Sequence, residues 1–238
     1  EKSFLLGITS GKYIICYVKE QGLFYFDDRK QEFVSLKNDL PDDIRNFVID
    51  SKDQLFFLTG HGQLLHYQLG IHNSSPELSF KEEIKQPVPV SNIYLSQDCL
   101  IIHNDRTLTV SQDNRILDSI DIPDNKTVSQ AICHGEYLFI SFIEGGCIRY
   151  NLENGTSTKL PQLPAKASIF TIYIGSQNIL WVGTDGQGIL EVYEHTSPFH
   201  TVKTDYPVRC FCEEDNGNIL AGTKGEGILL LDKQERSV

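Results

Sequence analysis

The sequence predicts an all-β chain, a β-propeller of four-stranded antiparallel blades, and three observations carry that prediction. A unit of short apolar strand, Gly-centred turn and second apolar strand recurs, clearest at Ile179-Leu180-Trp181-Val182-Gly183-Thr184-Asp185-Gly186-Gln187-Gly188-Ile189-Leu190 and again from Ile219 to Leu229. Its second strand restarts at Gly22, Gly62, Arg106, Gly146, Gly188 and Gly227, in steps of 40, 44, 40, 42 and 39 residues. Four short strands every ~40 residues is the spacing of a propeller blade. No segment has the 3.6-residue apolar period of a long helix, which excludes a βαβ architecture.

The elements follow in order within each unit. A first strand is expected at Phe4–Ile8, Ile44–Ile49, Ser91–Leu95, Val128–Cys133, Ile169–Ile174 and Val208–Cys212. These runs are β-branched and aromatic, as a half-buried sheet requires. A turn follows (Ser10-Gly11, Ser51-Lys52-Asp53, Gln97-Asp98, His134-Gly135, Gly175-Ser176-Gln177, Asp215-Asn216-Gly217), built from residue types that tolerate positive φ. The second strand precedes each anchor strand, and a fourth closes the blade at Phe33–Leu36, Leu78–Phe80, Ile116–Ile122, Thr156–Leu160 and Phe199–Lys203. The blades therefore span approximately 3–36, 44–80, 90–122, 128–160, 169–203 and 208–232, a single propeller segment over 1–238 with five full blades and three strands of a sixth. Only three residues precede the first strand, too few to supply the missing one. The chain is accordingly expected to be a piece of a larger, about seven-bladed ring.

Composition bounds the partners. With 21 basic and 32 acidic residues the net charge is −11, the wrong sign for a phosphate-binding surface, so nucleic acid is excluded as an expected partner. No run of about 20 apolar residues marks a membrane span, and any membrane attachment is expected outside this chain. The six cysteines sit singly in expected strands and read as buried thiols. Cys210 and Cys212 share one strand face, but no second Cys or His pair stands at zinc-ligand spacing. No metal and no cofactor are expected.

Motifs that resemble catalytic chemistry resolve into turns. Gly183-x-x-Gly186-x-Gly188 and Gly222-x-x-Gly225-x-Gly227 are followed by strands, whereas a phosphate cradle needs a helix N-terminus. Glu213-Glu214-Asp215-Asn216-Gly217-Asn218 lacks the ligand spacing of a calcium loop. No serine sits in a Gly-x-Ser-x-Gly elbow, and no carboxylate pair is singled out for glycoside hydrolysis. No catalytic residue is assigned. Of the seven histidines, His61 and His103 end or follow strands near the expected mouth of the ring.

The stretch from Leu40-Pro41-Asp42-Asp43-Ile44 through Asp50-Ser51-Lys52-Asp53-Gln54-Leu55 to Thr59-Gly60-His61-Gly62 resembles the two-component regulator propeller repeat. Trp181–Gly188 and Leu220–Gly227 match the second half of that repeat, including Gly183-Thr184 and Gly222-Thr223. Blade three departs most, with His103-Asn104-Asp105-Arg106 where Gly is expected. In this pattern the Trp or another large residue is expected to fill the gap between blades. The resemblance implies the periplasmic sensor region of a hybrid histidine kinase of the Bacteroides type. It further implies an oligosaccharide ligand, a homodimer through the full-length sensor, and kinase activity elsewhere in the protein. A carbohydrate-active propeller enzyme and a protein-interaction scaffold stand as alternatives.

Ligands meet a propeller on the face carrying the loops between second and third strands and the linkers between blades, where function sits on a rigid scaffold. Here those loops are Lys19–Gln21, Gly60–His61, Asn104–Arg106, Glu144–Gly145, Asp185–Gln187 and Lys224–Glu226. The candidate ligand contacts are Arg45, His61, Arg106, Arg209 and Lys224, with Arg45 and Arg209 at matching places in their first strands. Such groups suit a neutral or acidic glycan through hydrogen bonds.

Overall fold

The computed structural model describes residues 5–10, 13–37, 39–72, 75–113, 115–160, 163, 168–175, 178–193, 207–216, 218–225 and 227–231. The chain divides into two compact units, Glu1–Val192 and Tyr193–Val238. The described residues form antiparallel sheets and no helix, and so none long and apolar enough to cross a membrane.

In the first unit, sheet one is β1 (Leu5–Ser10), β2 (Tyr13–Val18), β3 (Gly22–Asp27) and β4 (Glu32–Ser35). Sheet two is β5 (Ile44–Ile49), β6 (Gln54–Thr59), β7 (Leu64–His72) and β8 (Ser75–Glu83). Sheet three is β9 (Asn92–Ser96), β10 (Cys99–His103), β11 (Thr107–Gln112) and β12 (Arg115–Asp121). Sheet four is β13 (Val128–His134), β14 (Tyr137–Phe142), β15 (Cys147–Asn151) and β16 (Ser157–Lys159). Sheet five holds β17 (Ile169–Ile174), β18 (Ile179–Thr184) and β19 (Ile189–Tyr193). The fourth strand expected at Phe199–Lys203 lies outside the described residues. The second unit holds sheet six, β20 (Val208–Glu213), β21 (Ile219–Thr223) and β22 (Ile228–Leu231).

Each sheet is a meander, and in the first unit β1, β5, β9, β13 and β17 touch in succession, so the first strand of each of those five sheets forms its inner edge. The core lies between consecutive sheets. Because side chains alternate across a strand, Leu55 and Phe57 pack toward sheet one while Phe56 and Leu58 pack toward sheet three. Cys99 and Ile101 meet Leu138 and Ile140 between sheets three and four, and Phe139 meets Ile169, Ile172 and Leu180 between four and five. Phe57 stacks on Phe47 at 5.4 Å and meets the edge of Tyr67 at 5.5 Å. Full burial of each such ring stabilises the fold by about 1.5–3 kcal/mol.

The Gly-Thr pair of the repeat has a local explanation. Thr184 donates from its amide to Gly188 O at 3.0 Å and from its hydroxyl at 2.8 Å. Thr223 does the same to Gly227 O, at 2.8 and 3.0 Å. The threonine thus caps its own hairpin loop, and Gly188 and Gly227 take φ of 74° and 77°, a region that favours glycine. The preceding glycine answers a close approach: a Cβ on Gly183 would stand 2.6 Å from Thr171 Cγ2, and one on Gly222 2.6 Å from Cys210 Sγ.

One expectation is corrected. The β7–β8 hairpin is longer than Leu78–Phe80 implied, with nine residues in each strand, because pairing continues past a bulge at His66/Tyr67 to His72↔Ser75. A large residue fills the gap between sheets at Phe56 and Phe139. Trp181 lies on the face of β18 opposite Leu180 and Val182, which pack toward sheet four.

Candidate functional site

In sheets two, four, five and six the first strand carries a β-bulge at one shared position. Pairing jumps from Ile44↔Thr59 to Asn46↔Leu58, from Val128↔Phe142 to Gln130↔Ser141, from Ile169↔Thr184 to Thr171↔Gly183, and from Val208↔Thr223 to Cys210↔Gly222. The extra residue is Arg45, Ser129, Phe170 or Arg209. A bulge leaves one residue unpaired and re-aims its side chain, so the repeat presents a variable residue at the start of each of these strands. Sheet three pairs Asn92↔His103 without a bulge.

Just past the bulge, polar side chains tie neighbouring inner strands. Asn46 Nδ2 donates to Asn92 Oδ1 at 2.8 Å and to Ile93 O at 3.0 Å. Gln130 Oε1 accepts from the Thr171 hydroxyl and from the Ile172 amide, both at 2.8 Å. The loops above are held by backbone bonds: Gly60 N–H to Asp43 O (2.7 Å), Val90 to Gly62 O (2.9 Å), Ile122 to Arg106 O (2.8 Å) and Ile143 to Thr127 O (2.9 Å).

On this frame a cleft of about 500 Å³ opens across sheets two to four. Arg45 lines it from sheet two; Ser91, Asn92, His103, Asp105 and Arg106 from sheet three; Asp124, Lys126 and Thr127 from the linker into sheet four. Its cations differ in commitment. Arg106 is ion-paired with Asp124. Lys126 donates to Gly145 O at 2.7 Å and lies over the Phe142 ring. Thr127 is held by Glu144, whose carboxyl those bonds keep below its usual range. Arg45 is exposed and makes no hydrogen bond or ion pair among the described residues.

The wall on sheet three carries unspent polar capacity. His103 stacks on Tyr94, with ring centroids 6.4 Å apart, and its Nδ1 is buried without a hydrogen-bond partner. Burial lowers the His103 pKa, against the opposing pull of Asp105, so the imidazole is neutral at pH 7. Beside it Asn104 is 6% exposed, with Oδ1 unpartnered. The Tyr94 hydroxyl lies by Asn92 without good hydrogen-bond geometry. Buried polar atoms in this state cost stability, and groups of that kind gather where a ligand or water completes them.

Of the five candidate contacts, Arg45 and Arg106 come together in this cleft. His61 does not: it lines a separate depression of about 220 Å³ beside Pro87 and Pro89, with Nε2 3.8 Å from Asp43 Oδ2. In the second unit Arg209 is the exposed bulge residue of β20, and the Lys224 amide donates to Pro207 O at 2.9 Å. Asn92, Lys126 and Thr127 were not among the candidate contacts. The linker Pro123–Thr127 marks the region of the last two, but only the folded chain shows that Asn92 and Arg45 share a wall with it. Among the described residues no three His, Cys, Asp or Glu side chains are grouped to hold a metal ion.

No family model matches the chain, and no curated protein does. Solved structures do. The extracellular domain of BT3049 from B. thetaiotaomicron, described as a hybrid two component system, is 15% identical with a TM-score of 0.55; the match covers 99% of this chain and 34% of that one. This chain thus spans about a third of that domain's length. The WD40 β-propeller domain of Doa1 is 11% identical with a TM-score of 0.58, covering 98% of this chain and 79% of its own. The computationally designed protein Ika8 is 12% identical with a TM-score of 0.54, covering 94% and 69%. At these identities the likeness speaks for the fold, and the fold is a β-propeller of antiparallel blades.

Proposed function

We propose that this chain is the ligand-sensing propeller of an extracytoplasmic sensor, binding an oligosaccharide in the cleft between Arg45, His103 and Thr127 without transforming it. The observation that carries the reading is the cleft itself: a wide polar site with the unpaired Arg45 guanidinium on one wall and Ser91, Asn92, His103 and Thr127 around it. A ligand dense in hydroxyl groups, with or without a carboxylate, would hydrogen-bond to that guanidinium and to the polar side chains lining the cleft. The fold-level likeness to an extracellular domain of a hybrid two component system supports the sensor role. In this proposal residues 1–238 form one propeller segment in the periplasm. The membrane helix, the histidine kinase and the homodimer contacts of such a sensor belong to other parts of the protein, and ligand binding shifts their arrangement.

The cleft holds two carboxylates, Asp105 and Asp124, and Asp124 is held by Arg106. That pairing favours recognition over hydrolysis, which needs one carboxyl kept protonated and a second one poised across the bond. The test is a thermal-shift and calorimetric screen against neutral and uronic-acid oligosaccharides, paired with an assay for new reducing ends. Saturable binding that leaves the oligosaccharide intact and is weakened by Arg45→Ala supports the sensor. New reducing ends would establish an enzyme, and a flat response to every oligosaccharide would favour an interaction scaffold.

A further inference from the structure

One buried thiol pair serves neither the cleft nor the blade repeat. Cys99 opens β10 and pairs with Ser96 across the turn between β9 and β10. Cys133 lies near the end of β13, in the next sheet. The Ser96 hydroxyl donates to Cys133 O at 2.8 Å, which pins the two sheets together beside both cysteines. β10 and β13 are in contact, and the two residues share one apolar cluster, 6% and 2% exposed. The two thiols interact within that cluster, and this interaction together with burial raises the Cys133 thiol well above its usual range. Cys16 and Cys147 lie apart from the pair, and Cys210 and Cys212 belong to the second unit.

We propose that Cys99 and Cys133 are a disulfide-forming pair that joins sheets three and four covalently in the presence of an oxidant of the disulfide class. The geometry brings together what the reaction needs: two cysteines in one cluster on touching strands of adjacent sheets, pinned beside each other by the Ser96 bond. Cys99 thiolate attacks a sulfur of the oxidant, forming a mixed disulfide and releasing one oxidant thiolate. Cys133 gives its proton to solvent and attacks the Cys99 sulfur, forming the Cys99–Cys133 bond and releasing the second oxidant thiolate. The two cysteines lose two electrons and two protons, and the oxidant disulfide becomes two thiols. Both sulfurs are buried, so the first attack occurs while the chain folds or when the Gln97–Asp98 turn opens. The bond closes the segment 99–133, removing conformations from the unfolded chain and stabilising the fold.

The test uses the chain with Cys210→Ser and Cys212→Ser, which removes the two exposed thiols. It is incubated with oxidised dithiothreitol, quenched by alkylation under denaturing conditions and mapped as non-reduced peptides. The expected result is a mass loss of about 2 Da, a linked peptide containing Cys99 and Cys133, and a Tm raised by about 5–10 °C that reductant reverses. Four alkylated thiols, or a link through any other pair, would overturn the proposal. Cys133→Ala should abolish both link and Tm rise; if that variant does not fold, the peptide map of its parent still decides. The result is independent of the oligosaccharide screen, so failure of the sensor reading leaves it standing.

Discussion

The two faces of the first unit spend their polar side chains differently. On the face of the turns between first and second strands, side chains reach from sheet to sheet. Ser51 donates from its amide and its hydroxyl to Asp98, at 2.8 and 2.6 Å. Gln97 Oε1 accepts from the Gly135 amide at 2.9 Å, so its Nε2 must donate to His134 Nδ1, 3.1 Å away. His134 then carries its proton on Nε2 and donates to Asn178 Oδ1 at 2.9 Å. These bonds link sheets two to three and three to four to five. On the opposite face backbone amides hold the loops, while Arg45, His103 Nδ1 and Asn104 Oδ1 have no partner among the described residues. The turn face is stitched from sheet to sheet by side chains; the cleft face combines main-chain bonds with local pairs such as Arg106–Asp124 and Thr127–Glu144, and leaves Arg45 for a ligand.

That contrast can be broken from either side. The largest effect is expected at Gly62, whose φ is 80° and where a Cβ would stand 2.7 Å from Pro89 Cβ. Gly62→Ala should cost about 2–3 kcal/mol, read as a lower urea midpoint at unchanged slope; a neutral result would show that the main chain does not brace the cleft face. Arg45→Ala should weaken the oligosaccharide found in the screen by about tenfold or more while stability stays within ~0.5 kcal/mol. Lost stability with intact binding would reverse the roles assigned to the two faces. His134→Ala should cost about 1 kcal/mol through its two lost bonds, leaving oligosaccharide affinity unchanged in calorimetry.

The smallest effect concerns Asp98. Its carboxyl is held below the usual range first by the Ser51 hydroxyl, then by the Ser51 amide. A depressed folded pKa means that this stabilisation is present above the unfolded value near 3.9 and lost as pH falls through the lower folded value. Asp98→Asn should therefore flatten the stability curve below about pH 4 by a few tenths of a kcal/mol, a size set by solvent screening. Denaturation at pH 3 and pH 6 would detect it, and an unchanged difference would remove Asp98 from the stitching.

Much of the fold was legible because blade repetition writes a period into the chain. Tyr13–Val18, Tyr137–Phe142 and Ile219–Thr223 form as read, since apolar alternation between turn residues leaves few other registers. The length of β7 and β8 was less legible, because pairing past Tyr67 depends on a bulge rather than on composition. At the site, Arg45 and Arg106 stood out as basic residues near loops. His61 stood out equally and lies in another depression, because loop membership does not say which sheets the loop faces.

The sequence by itself determined the strand content, the near-40-residue period and the hairpin nature of the Gly-Thr turns, since these rest on local backbone preferences and apolar alternation. Only the tertiary structure decided which residues become bulges, that Asn46 meets Asn92 and Gln130 meets Thr171, and that Cys99 and Cys133 share one cluster. Those contacts join residues some 30–50 positions apart. They are set by how neighbouring blades twist and stack, a long-range outcome of burying one apolar face against the next, and no local pattern encodes it.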